Sequence, residues 1–357
     1  MKLKKIEITH FKGLEHFEFD LCDEDETPNT LTCLLGDNGS GKTTVLQAIA
    51  LVLSAATRKN DDIASVKNTR VSSLPWNGFI SEHAISHSTK IKLALVLEPD
   101  EITATQEIFD IWKHYYPNES SQLTKPDELT DITLVYEFGQ VKCLEGEAAL
   151  LELWGRFFVK SVVDKSVVDV LSFSKARDFL ATMGGVFWFE QYRNLVTSSE
   201  GTMDVALIRQ ELVNWWAYHN QQYKNGEDLL VELEKFFGII FPRTQFVGIE
   251  PQRTYPTNQQ SFFFLLQRGD SKPYDIGEMS SGEQTIFSIF YQFVSMKIAR
   301  SIILIDEIEL HLHPPQQQAF YASLYMFGPD CQFIMTTHSP YLDDVFLDKE
   351  TVFMERL

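Results

Sequence analysis

Apolar and polar positions alternate through Leu3, Ile6 and Ile8, and again from Leu14 to Leu21 around Phe17 and Phe19. A period of two predicts a pair of strands, with Phe11-Lys12-Gly13 as the turn between them. The unbroken apolar run Leu31–Leu35 reads as a buried strand. Thr44 to Ser54 has helical spacing of Val45, Ile49, Leu51 and Val52, in a helix that ends near Ala56. Residues 57–88 are polar and irregular. Strands are predicted at Lys90–Leu97 and Ile132–Phe138, with a helix over Glu101–Tyr116 ended by Pro117-Asn118. A helical section at about 147–183 leads through Gly184-Gly185 into the apolar strand Val186–Phe189. A long helical stretch over about 203–237 carries an aromatic stripe that includes Trp215, Trp216, Phe236 and Phe237. Strands follow at Thr244–Ile249 and Ser261–Gln267, then an apolar helix after Ser281, and buried strands at Ile302–Ile305 and Gln332–Thr336. No heptad repeat is sustained, so no long coiled-coil arm is expected.

Composition changes this picture little. The 357 residues are 44% hydrophobic and 23% charged, ordinary for a globular chain able to bury a core. The 50 acidic and 31 basic side chains leave a net charge of −19. Such a balance argues against an extensive nucleic-acid-binding surface, which needs clustered Lys and Arg. It tilts the expected partner toward protein, with DNA binding still open. Cys22, Cys33, Cys143 and Cys331 are scattered and fit reduced thiols in a cytoplasmic protein. No apolar run reaches the roughly 18–20 residues of a membrane span, and the basic start Met1–Lys5 is followed by alternation, not by an apolar signal-peptide core.

The chemistry begins at Gly36-Asp37-Asn38-Gly39-Ser40-Gly41-Lys42-Thr43, which matches G-x-x-x-x-G-K-[ST] between a buried strand and a helix. Glycines permit positive φ and close backbone approach, and the free N–H groups of the helix start suit an anion. Lys42 is expected along the β- and γ-phosphates of a bound nucleotide, and the Thr43 hydroxyl on Mg²⁺. Lys12 could reach nucleotide from its turn or be a surface lysine.

A second constellation lies in the last third. Ser281 reads as an N-cap with Gln284 at the third helical position, a capping-box pattern, and this helix start with its Ser hydroxyls could face a γ-phosphate. Asp306 and Glu307 end the aliphatic strand Ile302–Ile305, where ligands bind in open α/β sheets. Asp306 is expected in the Mg²⁺ shell and Glu307 as the general base for the attacking water. His338 ends the next core strand and is a candidate γ-phosphate sensor. His311 and His313 have metal-like spacing but lack nearby Cys ligands.

Taken in order, these motifs resemble the ATP-binding-cassette ATPase fold. They are most similar to its RecF-like and overcoming-lysogenization-defect-like branch, with structural-maintenance-of-chromosomes heads as distant relatives. The resemblance rests on Lys5–Leu14, Gly36–Thr44, Ser280-Ser281-Gly282-Glu283-Gln284, Leu304–Pro314 and Thr336–Pro340; it is strong at both ends and vague over about 57–240. It implies one α/β P-loop head of two lobes, a mixed β lobe and a parallel-sheet lobe, with a helical insertion. Within it, 1–56 would hold the first strands and phosphate loop, and 57–240 the lobe strands and insertion. The rest, 241–357, would hold the signature, the Asp-Glu strand and the His switch. Ser280–Gln284 and Thr44 become nucleotide-binding residues, and Gln191 the Q-loop glutamine near the metal. A head-to-head homodimer, or a higher oligomer, would sandwich ATP between the phosphate loop of one copy and Ser281 and Gly282 of the other. The short stretch after His338 leaves no room for a TOPRIM nuclease domain, so a nuclease or other effector is expected on a separate polypeptide.

The function these features predict is an ATPase switch in DNA repair or antiphage defence. Two alternatives stand beside it: an ATP-gated scaffold with little turnover, and the nucleotide-binding subunit of a membrane transporter. The strand-rich start and large central insertion count against the transporter.

Overall fold

A computed structural model describes residues 1–57, 85–165, 173–189, 205–221, 228–252, 262–307, 309, 311–328, 330–342, 345–346 and 350–354. The chain forms two compact units, one of Met1–Glu190, Lys297–Ile308 and Gly328–Leu357, the other of Gln191–Met296 and Glu309–Phe327.

The first unit holds two five-stranded sheets. One is antiparallel, with β1 (Lys2–Phe11), β2 (Leu14–Asp20), β4 (Ile85–Val96), β5 (Asp131–Glu137) and β6 (Gln140–Cys143) in the order β2-β1-β4-β5-β6. The alternating start of the chain is β1, whose inward positions Leu3, Ile6 and Ile8 are buried. The other sheet is parallel, in the order β13-β3-β12-β11-β7, from β3 (Leu31–Leu35), β7 (Val186–Phe189), β11 (Ile302–Ile305), β12 (Gln332–Thr336) and β13 (Thr351–Phe353). Every residue of β3, β7, β11 and β12 is buried, as expected of strands covered on both faces. Gln332 ties the two sheets together: its side-chain oxygen accepts from Leu3 N at 2.6 Å, and its Nε2 donates to Leu3 O and Asn29 O.

Helix α1 (Lys42–Ala56) follows the phosphate loop and is buried nearly all round, which marks a central helix rather than a surface one. Its last carbonyls are held from outside, where Trp154 Nε1 donates to Ala56 O at 2.8 Å. The predicted 101–116 helix is α2 (Pro99–Tyr115), with acidic residues in its first turn and Lys113 and His114 in its last, matching the helix dipole. The 147–183 section resolves into α3 (Glu147–Leu151), a 3₁₀ turn Glu152–Trp154, α4 (Gly155–Lys165) and α5 (Phe173–Thr182).

Beside α3, Glu152 is buried and neither carboxylate oxygen has a hydrogen-bond partner among the described residues. Burial, reinforced by Asp127, Glu101 and Glu128, pushes its carboxyl up to about 8. The folded state therefore holds a proton there that the unfolded chain gives up near the ordinary carboxylate range. Stability falls as pH rises from about 5 to about 8. Glu152→Gln is expected to flatten this slope, so that its thermal midpoint gains on wild type at pH 8.5 and not at pH 5; equal pH profiles would refute the assignment.

The second unit is built on a three-stranded antiparallel sheet, β10-β9-β8, from β8 (Thr244–Pro251), β9 (Phe262–Arg268) and β10 (Tyr274–Asp275). The predicted 203–237 helix is interrupted. Its described residues form α6 (Val205–His219) and α7 (Leu229–Ile240), with a turn at Asn220 and Asp228 as the N-cap of α7. Asp228 accepts from Val231 N and pairs with His219 Nδ1 at 2.8 Å, a local polar arrangement that competes with helix continuation. Two further helices, α8 (Ser281–Ser295) and α9 (Pro314–Phe327), complete the unit. Of the aromatic stripe, Phe236 and Phe237 are core and pack on Phe290 and Phe287, while Trp215 and Trp216 are half-buried at its margin.

Asp275 organises this unit. Its carboxylate accepts from Arg209 of α6 in a two-nitrogen pairing, from Phe264 N of β9 at 3.0 Å and from Gly277 N at 3.0 Å. One buried side chain thus fixes a helix, a strand and the 3₁₀ turn Ile276–Glu278 that runs into the start of α8.

Candidate functional site: a phosphate loop against an acidic strand end

All the chemistry of the first unit converges where β3, β11 and β12 end. The loop Gly36–Gly41 leaves β3 and enters α1 through Gly41, whose φ of 91° is left-handed and suits glycine. Gly41 supplies no side-chain cap and the first turn of α1 has no acidic residue. The initial N–H groups of the helix are therefore not answered by a side chain of its own cap, the arrangement that binds anions. Lys42 is buried, and its Nζ donates to the carbonyls of Gly36 and Asp37 at 2.8 and 3.0 Å. Ser40 is fully buried, and its hydroxyl has no hydrogen-bond partner among the described residues, a polar group in need of an acceptor or donor.

Across the loop, the Thr43 hydroxyl lies 3.0 and 3.1 Å from the two oxygens of Asp306, which is 5% exposed at the end of β11. Asp306 N continues the sheet by donating to Phe189 O at 3.0 Å. The next residue, Glu307, takes a left-handed φ of 49°, uncommon for a residue other than glycine and a mark of a functional constraint. Its amide donates to Thr336 Oγ1 at 2.8 Å, and Thr336 Oγ1 donates to Asp306 Oδ1 at 2.7 Å. A cavity of about 270 Å³ opens here, lined by Asn38, Gly39, Gly41, Lys42, Thr43, Thr44, Glu307, Thr336 and His338.

The donor set fits a magnesium triphosphate. A hydroxyl and a carboxylate are hard oxygen ligands of the kind Mg²⁺ takes. The loop amides, Ser40 and Lys42 offer donors and positive charge to phosphate oxygens.

The structure thus brings Asn38, Gly39, Gly41, Lys42, Thr43, Thr44, Glu307 and His338 around one cavity, with Asp306 behind it on the Thr43 hydroxyl. Ser280–Gln284 belong to the second unit. There the N-cap is Ser280 and not Ser281, a correction of one residue. Ser280 Oγ accepts from Glu283 N, while the Glu283 carboxylate accepts from Ser280 N at 2.9 Å and Ser280 Oγ at 2.8 Å. Glu283 can reach back because it is third in the helix and longer by a methylene than an Asp; this box leaves Ser281 as the first helical residue. Glu283 also accepts from the Tyr274 hydroxyl at 3.1 Å, and burial next to this carboxylate pushes the phenol up to about 12. Gln284 Nε2 donates to Met279 O. Gly282 packs so closely on His311 that an added Cβ would meet His311 O at 2.5 Å, so the site admits only glycine. Gln191 lies outside the described residues. His311 and His313 form no metal cluster among the described residues. Thr336 carries no mark of its own within Thr336–Pro340; its importance depends on β12 lying beside β11, which no local pattern reveals.

A phosphate loop facing an acidic strand end across a parallel sheet defines a P-loop ATPase domain of the α/β class. Comparison with known families is consistent with this. Residues 1–167 match the AAA ATPase domain, and residues 189–344 match the AAA domain described as putative AbiEii toxin, Type IV TA system. Most of the chain is thus similar to AAA-family ATPase domains.

Its relatives include the Retron Vc95 probable ATPase of Vibrio cholerae serotype O1 biovar El Tor, 23% identical over 95% of this chain and 71% of the relative. The Septu protein PtuA of Bacillus mycoides (strain KBAB4) is 23% identical over 95% of this chain and 38% of the relative. The OLD nuclease of Thermus scotoductus (strain ATCC 700910 / SA-01) is 24% identical over 96% of this chain and 60% of the relative. The chain therefore spans less than two thirds of the last two. These relatives are consistent with the RecF-like and overcoming-lysogenization-defect-like branch. Among solved structures, the SMC head bound to the C-winged helix domain of ScpA aligns at a TM-score of 0.48 and 15% identity, covering 96% of this chain and 91% of that one. The SMC head domain from Thermotoga maritima aligns at 0.42 and 15%, covering 96% and 92%. Among the described residues no helix is long and apolar enough to cross a membrane.

Proposed function

We propose that the chain binds and hydrolyses Mg-ATP, and that ATP binding closes two copies head to head into a switch controlling a separate nuclease or effector. The observation that supports this most directly is the Thr43–Asp306 pair facing Lys42, with Glu307 on the same cavity. Thr43 and Asp306 would hold Mg²⁺, which supplies charge neutralisation on the triphosphate. Lys42 would leave its loop carbonyls for the β- and γ-phosphates. Glu307 would take the proton of the attacking water, and His338 would report the γ-phosphate from the cavity wall.

The dimer follows from the signature residues. Ser281 at the first helical position and Gly282 beside it present a helix N-terminus suited to a γ-phosphate bound by another copy. Relatives named as a retron ATPase, a Septu protein and a nuclease favour a role in antiphage defence or DNA repair. The acidic balance favours a protein effector over extensive DNA contact.

Light scattering on the chain, with and without Mg-ATP, tests the switch. A doubling of mass on adding nucleotide, reversed as it is consumed, is expected; a mass indifferent to nucleotide would refute it.

A further inference from the structure

The hydrogen bonds around the acidic pair converge on a residue that neither ligates metal nor takes up a proton in the scheme above. We infer that Thr336 is a positioning residue that sets both members of the pair at once, Asp306 through its carboxylate and Glu307 through its backbone. This inference rests on the Mg-ATP reading and deepens it.

The paired register of β11 and β12 ends at Ile305 opposite Met335. Beyond that point the backbone of β11 must turn out of the sheet for Glu307 to reach the cavity. Its amide leaves the ladder and still points toward β12, where it meets the side-chain oxygen of Thr336 at 2.8 Å. The same hydroxyl donates a hydrogen bond to Asp306 Oδ1 at 2.7 Å, and Thr336 is 1% exposed. A buried hydroxyl has one proton to give and lone pairs to receive, so this chain of two bonds has a defined direction. Reversing it is impossible, because an amide N–H cannot accept and a carboxylate cannot donate.

Two consequences follow. The donor to Oδ1 keeps the Asp306 carboxylate turned toward Thr43 however the Thr43 oxygen is engaged by a metal. The acceptor for Glu307 N–H satisfies an amide that a left-handed turn has withdrawn from the sheet, and so holds the Glu307 side chain on the cavity side. Threonine is the residue able to do both here. Valine fills the same space without a hydroxyl, and serine keeps the hydroxyl without the methyl. Partners that orient a metal ligand are worth roughly 10–100-fold in metal affinity or activity.

The test compares Thr336→Val and Thr336→Ser with wild type, using a fluorescent ATP analogue titrated with Mg²⁺ and, separately, steady-state ATP turnover. Thr336→Val is expected to need about 10–100-fold more Mg²⁺ for half-maximal nucleotide binding and to lose kcat by a similar factor, with binding in EDTA and KM little changed. Thr336→Ser is expected to retain both. A valine variant with wild-type Mg²⁺ dependence and kcat would overturn the inference, as would a serine variant as impaired as valine. Should the valine variant fail to fold by thermal melting, Thr336→Ala against Thr336→Ser makes the same comparison. A wild-type chain that binds Mg-nucleotide without turning it over would overturn the hydrolysis reading, and the Mg²⁺ comparison would still decide the role of Thr336.

Discussion

Replacing Glu307 by glutamine is expected to lower ATP turnover by about 10²–10⁴-fold, the usual contribution of a positioned general base. Affinity for Mg-ATP should be unchanged. Glutamine has the size and shape of glutamate, so the left-handed turn at position 307 and the hydrogen bond its backbone N–H donates to Thr336 Oγ1 can persist. What is lost is an oxygen that can take a proton from water. Metal and phosphate contacts are assigned to other groups, Thr43, Asp306 and Lys42, which the substitution leaves in place. A nucleotide that is bound and not cleaved should also hold the closed form, so the ATP-dependent dimer of Glu307→Gln should outlive that of wild type. Single-turnover hydrolysis and light scattering read the two effects separately. A variant that keeps wild-type kcat would remove Glu307 from the base role.

Asp275→Ala is expected to destabilise the second unit by about 3–5 kcal/mol, the cost of breaking one side of a buried ion pair. The cause is what the mutation leaves behind: the Arg209 guanidinium loses its carboxylate, and Phe264 N and Gly277 N lose their acceptor. Asp275→Asn keeps an acceptor oxygen and should cost less. Urea unfolding followed by tryptophan fluorescence suits the measurement, since Trp215 and Trp216 lie on α6 beside the core of this unit. Loss of the hub also frees the 3₁₀ turn that leads into α8, so the signature helix start should exchange its amide hydrogens faster in the alanine variant. Equal stability of Asp275→Ala and wild type would show that the hub is dispensable.

Strands with a clear period or an unbroken apolar run were legible from the chain alone. β1, β2, β3, β11 and β12 lie within a residue or two of their expected limits. Short strands were not. β6, β10 and β13 have two to four residues each, too few to show a period, and they exist because a neighbouring strand offers a ladder. β4 runs back to Ile85 for the same reason, pairing with Phe11 across a bulge. The 203–237 stretch has helical composition throughout, yet a turn at Asn220 and a cap at Asp228 break it, because local side-chain hydrogen bonds there compete with the backbone ladder.

The sequence by itself determined which groups stand at the candidate site, since the phosphate-loop pattern keeps its glycines, lysine and threonine at fixed spacing whatever surrounds them, and an acidic pair at the end of an aliphatic strand is readable at once. Tertiary structure alone decided how those groups are held. Thr336 acquires its place from the alignment of β11 with β12, and Asp275 from the approach of Arg209, 66 residues away on α6. The left-handed turn at Glu307 likewise depends on a partner 29 residues away. Hydrogen bonds between remote residues leave no periodic trace in a sequence, because any buried threonine or aspartate looks the same until its neighbours arrive.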